Sequence, residues 1–125
     1  MAKSNQENST EDLINAIVFG IQEKKGTDVD VLNFKSIPNS VSDYFVICHG
    51  FTKVQVEAIA ESVEAEVKKK TGNNPWHKEG KENAEWILLD YIDVVVHIFL
   101  ETSRRFYKIE NLWADAQVEH FKDEE

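Results

Sequence analysis

The chain has 125 residues, 42% of them hydrophobic and 30% charged, which suits a single globular domain with one ordinary core. Asp and Glu outnumber Lys and Arg by 23 to 14, a net charge of −9, so a phosphate backbone or an anionic lipid surface repels most of this molecule. That balance argues against direct nucleic-acid specificity or membrane attachment as the main activity, and it suits a basic protein partner met faster at low salt. A lone cysteine, Cys48, offers no internal disulfide. The segment MAKSNQENSTED lacks the apolar stretch of a secretory signal, and the apolar runs at 86–90 and 94–100 are too short to cross a bilayer. The expected location is cytoplasmic.

Residues 1–9 read as a disordered polar start, 10–116 as the folded domain and 117–125 as a flexible acidic tail. A first helix is predicted from Thr10, with Ser9 or Thr10 as N-cap, Glu11 and Asp12 in its first turn, and Ile14, Ile17, Val18 and Ile21 at helical spacing. Lys24, Lys25 and Gly26 end it. Residues 28–34 form a short β-prone run, 36–42 a loop containing Pro38, and 43–49 a second strand rich in aromatic and β-branched residues.

After Gly50, Thr52 and Gln55 make a capping-box pattern. The helix it opens carries an apolar stripe of Val56, Ile59, Ala60, Val63 and Val67, with Glu64–Lys68 and Glu66–Lys70 spaced for ion pairs on its wet side. Residues 71–75, ending in Pro75, stop it. Two strands at 85–90 and 94–100 then have the spacing of an antiparallel hairpin. Ile92 is a poor residue for a tight turn, since a β-branched side chain resists positive φ, so a non-primed or longer turn is expected there. A last helical segment is predicted over 103–113, anchored by Phe106, Ile109, Leu112 and Trp113. The order implies an α/β domain, a mixed sheet flanked by helices.

Two acids at i,i+2 on a strand, Asp28 and Asp30, are the sharpest enzymatic feature, because such a pair can hold Mg2+ for phosphoryl transfer. The helix start that nucleotidyltransferases place before it is missing: Phe19-Gly20-Ile21 lacks the small residue after glycine and sits late in a helix, where N–H groups point away from any triphosphate. Cys48 and His49 are strand neighbours and point to opposite faces, so the imidazole cannot activate the thiol, and Cys48 reads as core beside Tyr44 and Val46. His49, His77, His97 and His120 show no metal-ligand spacing. His97, flanked on its face by Val95 and Phe99, fits a core histidine with one hydrogen bond. No cofactor or metal is implied. Trp76, Trp86 and Tyr91, set among Glu79, Asp90 and Asp93, fit the aromatic anchors and polar rim of a protein-binding surface.

The run from Trp86 to Phe99, WILLDYIDVVVHIF, resembles the signature of the Iojap, or ribosomal silencing factor, family. DYFVICHG from Asp43, QVEAIA from Gln55, Glu79-Gly80, Arg105-Phe106-Tyr107, ENLW from Glu110, and Asp115-Ala116 agree with it in order, from about Leu13 to Ala116. The resemblance implies a nucleotidyltransferase-like fold without the catalytic apparatus and no enzymatic activity. It also implies binding to large-subunit ribosomal protein fourteen on the face of the large ribosomal subunit that meets the small one. Occupying that face would block subunit joining and repress translation when nutrients are scarce, and a homodimer would be the free form. Trp76, Glu79, Asp90, Tyr91, Asp93 and His97 are then the candidate contacts, with Trp86 and Leu88 as apolar support. Two positions depart from the family pattern: Ile92 stands where many relatives have glycine, and Phe51-Thr52-Lys53 replaces a more polar stretch.

Overall fold

The computed structural model describes residues 2–40, 42–108 and 116–123. The elements follow as α1 (Ala2–Glu23), β1 (Thr27–Asn33), β2 (Tyr44–Gly50), α2 (Lys53–Thr71), β3 (His77–Glu79), β4 (Trp86–Asp90), β5 (Val94–Leu100), α3 (Glu101–Tyr107) and β6 (Gln117–Phe121). The strands form one mixed sheet in the order β3-β4-β5-β2-β1-β6. Among the described strands β2 and β5 pair in parallel, and the other neighbours are antiparallel. A parallel pair needs a crossover, and α2 lies in it. The expected α/β domain with a mixed sheet flanked by helices is the fold that forms.

Both long helices cover one face of the sheet. Leu13, Ala16, Ile17, Val18 and Ile21 of α1 and Val56, Ile59, Ala60, Val63 and Val67 of α2 are buried against Val46, Cys48, Ile87, Leu89, Val94, Val96 and Ile98. Gly20 lets the two helices touch. A Cβ there would stand 2.8 Å from the Cα of Val63, and the Ser62 hydroxyl donates to the Gly20 carbonyl at 2.7 Å. The glycine of Phe19-Gly20-Ile21 is thus a packing device between the two helices. Thr52 Oγ1 accepts from the Gln55 N–H at 3.1 Å, as the capping pattern predicts. Gln55 Oε1 accepts from the Phe51 N–H, one residue before the expected partner, while its Nε2 donates to the carbonyls of Lys24 and Lys25. The cap therefore also pins the start of α2 to the end of α1.

Several expectations fail where tertiary partners outbid local ones. The first helix starts at Ala2, not Thr10, so Ser9 and Thr10 lie inside it and not at its start; no Gly or Pro interrupts the polar stretch before them. Residues 117–121, read as flexible tail, form edge strand β6, which takes up the free edge of β1. Glu64 pairs with Lys78 and Lys81 at 3.2 Å each, and Lys68 donates to the Gly72 carbonyl, so the predicted helical ion pair of Glu64 with Lys68 does not form. Glu66–Lys70 is likewise absent from the ion pairs among the described residues. Strand β3 arises in a stretch that carries no strand pattern of its own. Of the last predicted helix, Glu101–Tyr107 is helical; Ile109, Leu112 and Trp113 lie outside the described residues.

The β4–β5 turn is tighter than Ile92 should allow. Its φ is +75°, and the Asp93 N–H donates to the Tyr91 carbonyl at 2.9 Å, which closes a three-residue γ-turn of the strained, positive-φ form. Asp90 Oδ1 accepts from the Ile92 N–H at 2.7 Å and holds the turn shut. The Asp93 carbonyl collects N–H groups from Asp43 and Tyr44 and the Ser42 hydroxyl, which fixes the turn from the other side.

Candidate partner-binding face

Alternation along β4 turns Ile87 and Leu89 toward the helices and Trp86, Leu88 and Asp90 toward the opposite face. Register with β5 sets Trp86 against Phe99, Leu88 against His97 and Asp90 against Val95. Edge strand β3 adds His77 beside Asp90 and Glu79 beside Leu88. A second, smaller core of Leu32, Phe34, Phe45, Ile47, Val95, Phe99 and Ala116 underlies this face, with Trp86 and Leu88 packed on it half-exposed.

Trp86 is the best-held aromatic of the face. Its ring stacks on Phe99 with centroids 4.9 Å apart, meets Tyr107 of α3 at 5.1 Å, and donates its N–H to Nδ1 of His97 at 3.1 Å. Gly80 lies against its backbone: φ is +86°, and any Cβ there would overlap the Trp86 carbonyl oxygen. Trp76 is three-quarters exposed, yet its N–H donates to the Asp90 carbonyl at 2.7 Å, so its backbone is fixed to the sheet. Glu79 is exposed and pairs with His77 at 2.7 Å. Asp93 is exposed and Asp90 half-exposed. Trp86, Leu88, Asp90 and Glu79 thus make an aromatic and acidic strip on one face of the hairpin and its edge, with exposed Trp76 just before β3 and Asp93 in the turn.

Two predicted contacts do not lie on that strip. Tyr91 is 7% exposed and turns to the helix side, where it joins the main core; its hydroxyl finds no partner among the described residues, and burial, then the nearby Glu64, pushes its pKa up. The alternation of β4 runs on through Tyr91 and carries it inward. His97 is 4% exposed and cannot be a direct surface contact. Burial lowers its pKa to about 4, so the ring is neutral at pH 7. With Nδ1 accepting from Trp86, Nε2 carries the proton and meets no acceptor among the described residues. The core-histidine reading is the one that holds, and His97 holds the indole of Trp86 in place.

Asp28 and Asp30 do not form a metal site. A bulge breaks the β1 register between Thr27 and Asp30, and Asp28 has φ +51°, so the simple alternation that would align the two acids is lost. Asp30 is already neutralised: Oδ2 accepts from Arg104 at 3.2 Å and Oδ1 pairs with His120 at 2.7 Å. Arg104, 7% exposed, also donates to the Asp28 carbonyl at 2.7 Å and to Nδ1 of His49 at 3.0 Å. Desolvation, then Arg104, lowers the His49 pKa. A cationic guanidinium thus fills the place where the alternative reading needs a cation. Sequence reasoning passed over Arg104, since nothing local marks an arginine as buried. No group of three or more His, Cys, Asp or Glu suited to a metal occurs among the described residues, and no helix among them is long and apolar enough to cross a membrane. Cys48 is fully buried, and desolvation pushes its thiol up to about 12, as a core residue requires.

The family model described as "Ribosomal silencing factor during starvation" matches residues 6–125. A relative from Halalkalibacterium halodurans, "Ribosomal silencing factor RsfS", is 40% identical over 108 residues, 86% of this chain and 91% of its own length. A crystal structure from Bacillus halodurans superposes with a TM-score of 0.73 at 37% identity, covering 90% of this chain and 98% of that one. A mouse protein named "Mitochondrial assembly of ribosomal large subunit protein 1" is 28% identical over 104 residues, 80% of this chain and 44% of its own length. Matched over nearly its whole length, with the fold and the hairpin motif in agreement, the chain belongs to the RsfS family of ribosomal silencing factors.

Proposed function

We propose that this protein binds the large ribosomal subunit through ribosomal protein fourteen, on the face that meets the small subunit, and represses translation under nutrient limitation by blocking subunit joining. It does so by occupancy, without chemistry. The observation that carries the reading is the acidic strip of Trp86, Leu88, Glu79, Asp90 and Asp93 with exposed Trp76 beside it, both tryptophans standing on backbone fixed to the sheet. A preorganised aromatic anchor loses little side-chain freedom on docking, and acidic neighbours steer a basic ribosomal protein onto it. The commitment of Asp30 to Arg104 supports a non-enzymatic role.

Co-sedimentation with isolated large and small subunits at several salt concentrations tests this. Wild type should travel with large subunits alone and release as salt rises; Asp90→Lys should weaken binding by roughly tenfold or more. Binding to neither subunit would overturn the reading. The mouse relative's name favours a second reading, a factor for large-subunit assembly; that role predicts association with immature particles in place of finished subunits. A free homodimer would use the same aromatic strip, so ribosomal protein fourteen should dissociate it in light scattering.

A further inference from the structure

The charge of this acidic chain is unevenly placed. Residues 68–81 hold five lysines against one glutamate, within a molecule of net charge −9. They span the last turn of α2, its glycine cap and edge strand β3. Lys68, Lys69 and Lys70 are exposed, and Lys69 and Lys70 have no ion pair among the described residues. Lys70 borders a groove that it shares with Asp12 of α1. Lys78 and Lys81 both bond the single carboxylate of Glu64, one turn before Lys68, which leaves that trio with an excess positive charge. Beyond the cap stand exposed Asn73 and Asn74 and then Trp76, three-quarters exposed on an anchored backbone.

Three terminal lysines also complement the helix dipole. That role accounts for Lys68, which bonds the Gly72 carbonyl. It does not call for two further lysines on the strand side, nor for a bare tryptophan beside them. Spaced cations next to an exposed flat ring are what a nucleic-acid backbone with an unpaired base requires: charge for phosphate, a π-face for stacking.

We propose that the end of the molecule formed by Lys69, Lys70, Lys78 and Lys81, with Trp76 at its boundary with the acidic protein-binding strip, is an RNA-contacting patch. The pairing gives the molecule two faces of opposite charge, one for basic protein and one for RNA. The inference uses the large-subunit reading for where such RNA would be met, but RNA binding is tested without ribosomes.

The probe is a fluorescently labelled RNA stem-loop, titrated with the full chain and followed by anisotropy from 50 to 200 mM salt. Wild type should bind in the micromolar to 100 µM range, about the level of non-specific contacts, with affinity falling steeply as salt rises. Lys69→Glu/Lys70→Glu should lose about tenfold and flatten the salt slope by about two. Lys24→Glu/Lys25→Glu makes the same charge change at the other end of the antiparallel α1–α2 pair, where Gln55 meets the end of α1, and should change binding less than about twofold. Trp76→Ala should lose about fivefold or more on the stem-loop. Equal losses from both double variants, unchanged binding by Trp76→Ala, or equally tight binding of a labelled polyglutamate peptide would each overturn the assignment. If RNA binding stands while co-sedimentation with large subunits fails, the proposed function falls and the patch remains.

Discussion

The indole N–H of Trp86 on β4 donates to Nδ1 of His97 on β5 at 3.1 Å, joining a half-exposed tryptophan to a histidine that is 4% exposed. The bond fixes the imidazole tautomer and the tilt of the indole together. It requires a neutral ring, because a protonated Nδ1 would have no lone pair to offer.

Stability should therefore fall in mild acid through His97. Its folded pKa of about 4 lies below the ordinary value of 6.5. Between those values the unfolded chain takes up a proton that the folded one refuses, so the stability from this group is lost as pH drops from 6.5 toward 4. The loss amounts to roughly 2 kcal/mol between pH 7 and pH 5. Urea denaturation at both pH values reads it, with His97→Gln as comparison, since the amide can still accept from Trp86 but does not titrate. An equal acid loss in wild type and His97→Gln would place the sensitivity elsewhere.

Ile92→Gly should stabilise the fold. Ile92 sits at φ +75° and is 63% exposed, so it contributes strain and little burial. Relief of left-handed strain is worth about 1–2 kcal/mol, set against up to about 1 kcal/mol for the extra freedom of an unfolded glycine. A rise of up to about 1 kcal/mol in the unfolding free energy is expected from a denaturant titration. A fall would show that the γ-turn is not strained at this residue.

Gly20→Val should destabilise by about 2 kcal/mol or more. The new side chain starts 2.8 Å from the Val63 Cα, a backbone atom that cannot swing aside, so α1 must lift from α2. Thermal unfolding followed by circular dichroism would report a lowered midpoint, whereas a neutral result would mean that the helices slide at no cost.

Arg104→Ala should be costlier still, about 3 kcal/mol or more, because it strands Asp30 and the Asp28 carbonyl in a partly closed site. Asp30→Asn should cost less, since the amide still accepts from Arg104. An Arg104→Ala protein as stable as wild type would show that water replaces the guanidinium freely.

Much of the frame was legible because it is written in local periods. The α2 stripe, its Thr52 cap, the strands around Val46 and Val96, and the β4–β5 hairpin follow from spacing that neighbours in the chain set for one another. The candidate strip was legible as a cluster of Trp, Tyr and acids, and as a family motif. Its two errors are both errors of burial. Tyr91 stands beside exposed Ile92 and Asp93 in sequence, but alternation carries it inward, and His97 lies in a central strand covered on both faces of the sheet.

What the sequence determined by itself was the class of fold, the position of most elements, the acidic balance and the family. The tertiary structure alone decided that Arg104 reaches Asp30 across 74 positions, that Glu64 takes Lys78 and Lys81 over Lys68, and that residues 117–121 order as an edge strand. Periodicity fixes which way a side chain faces within its own element. Which partner it then meets depends on the order of strands in the sheet, and a long-range partner wins whenever burial strengthens its charge or hydrogen bond beyond what an exposed neighbour in water can offer.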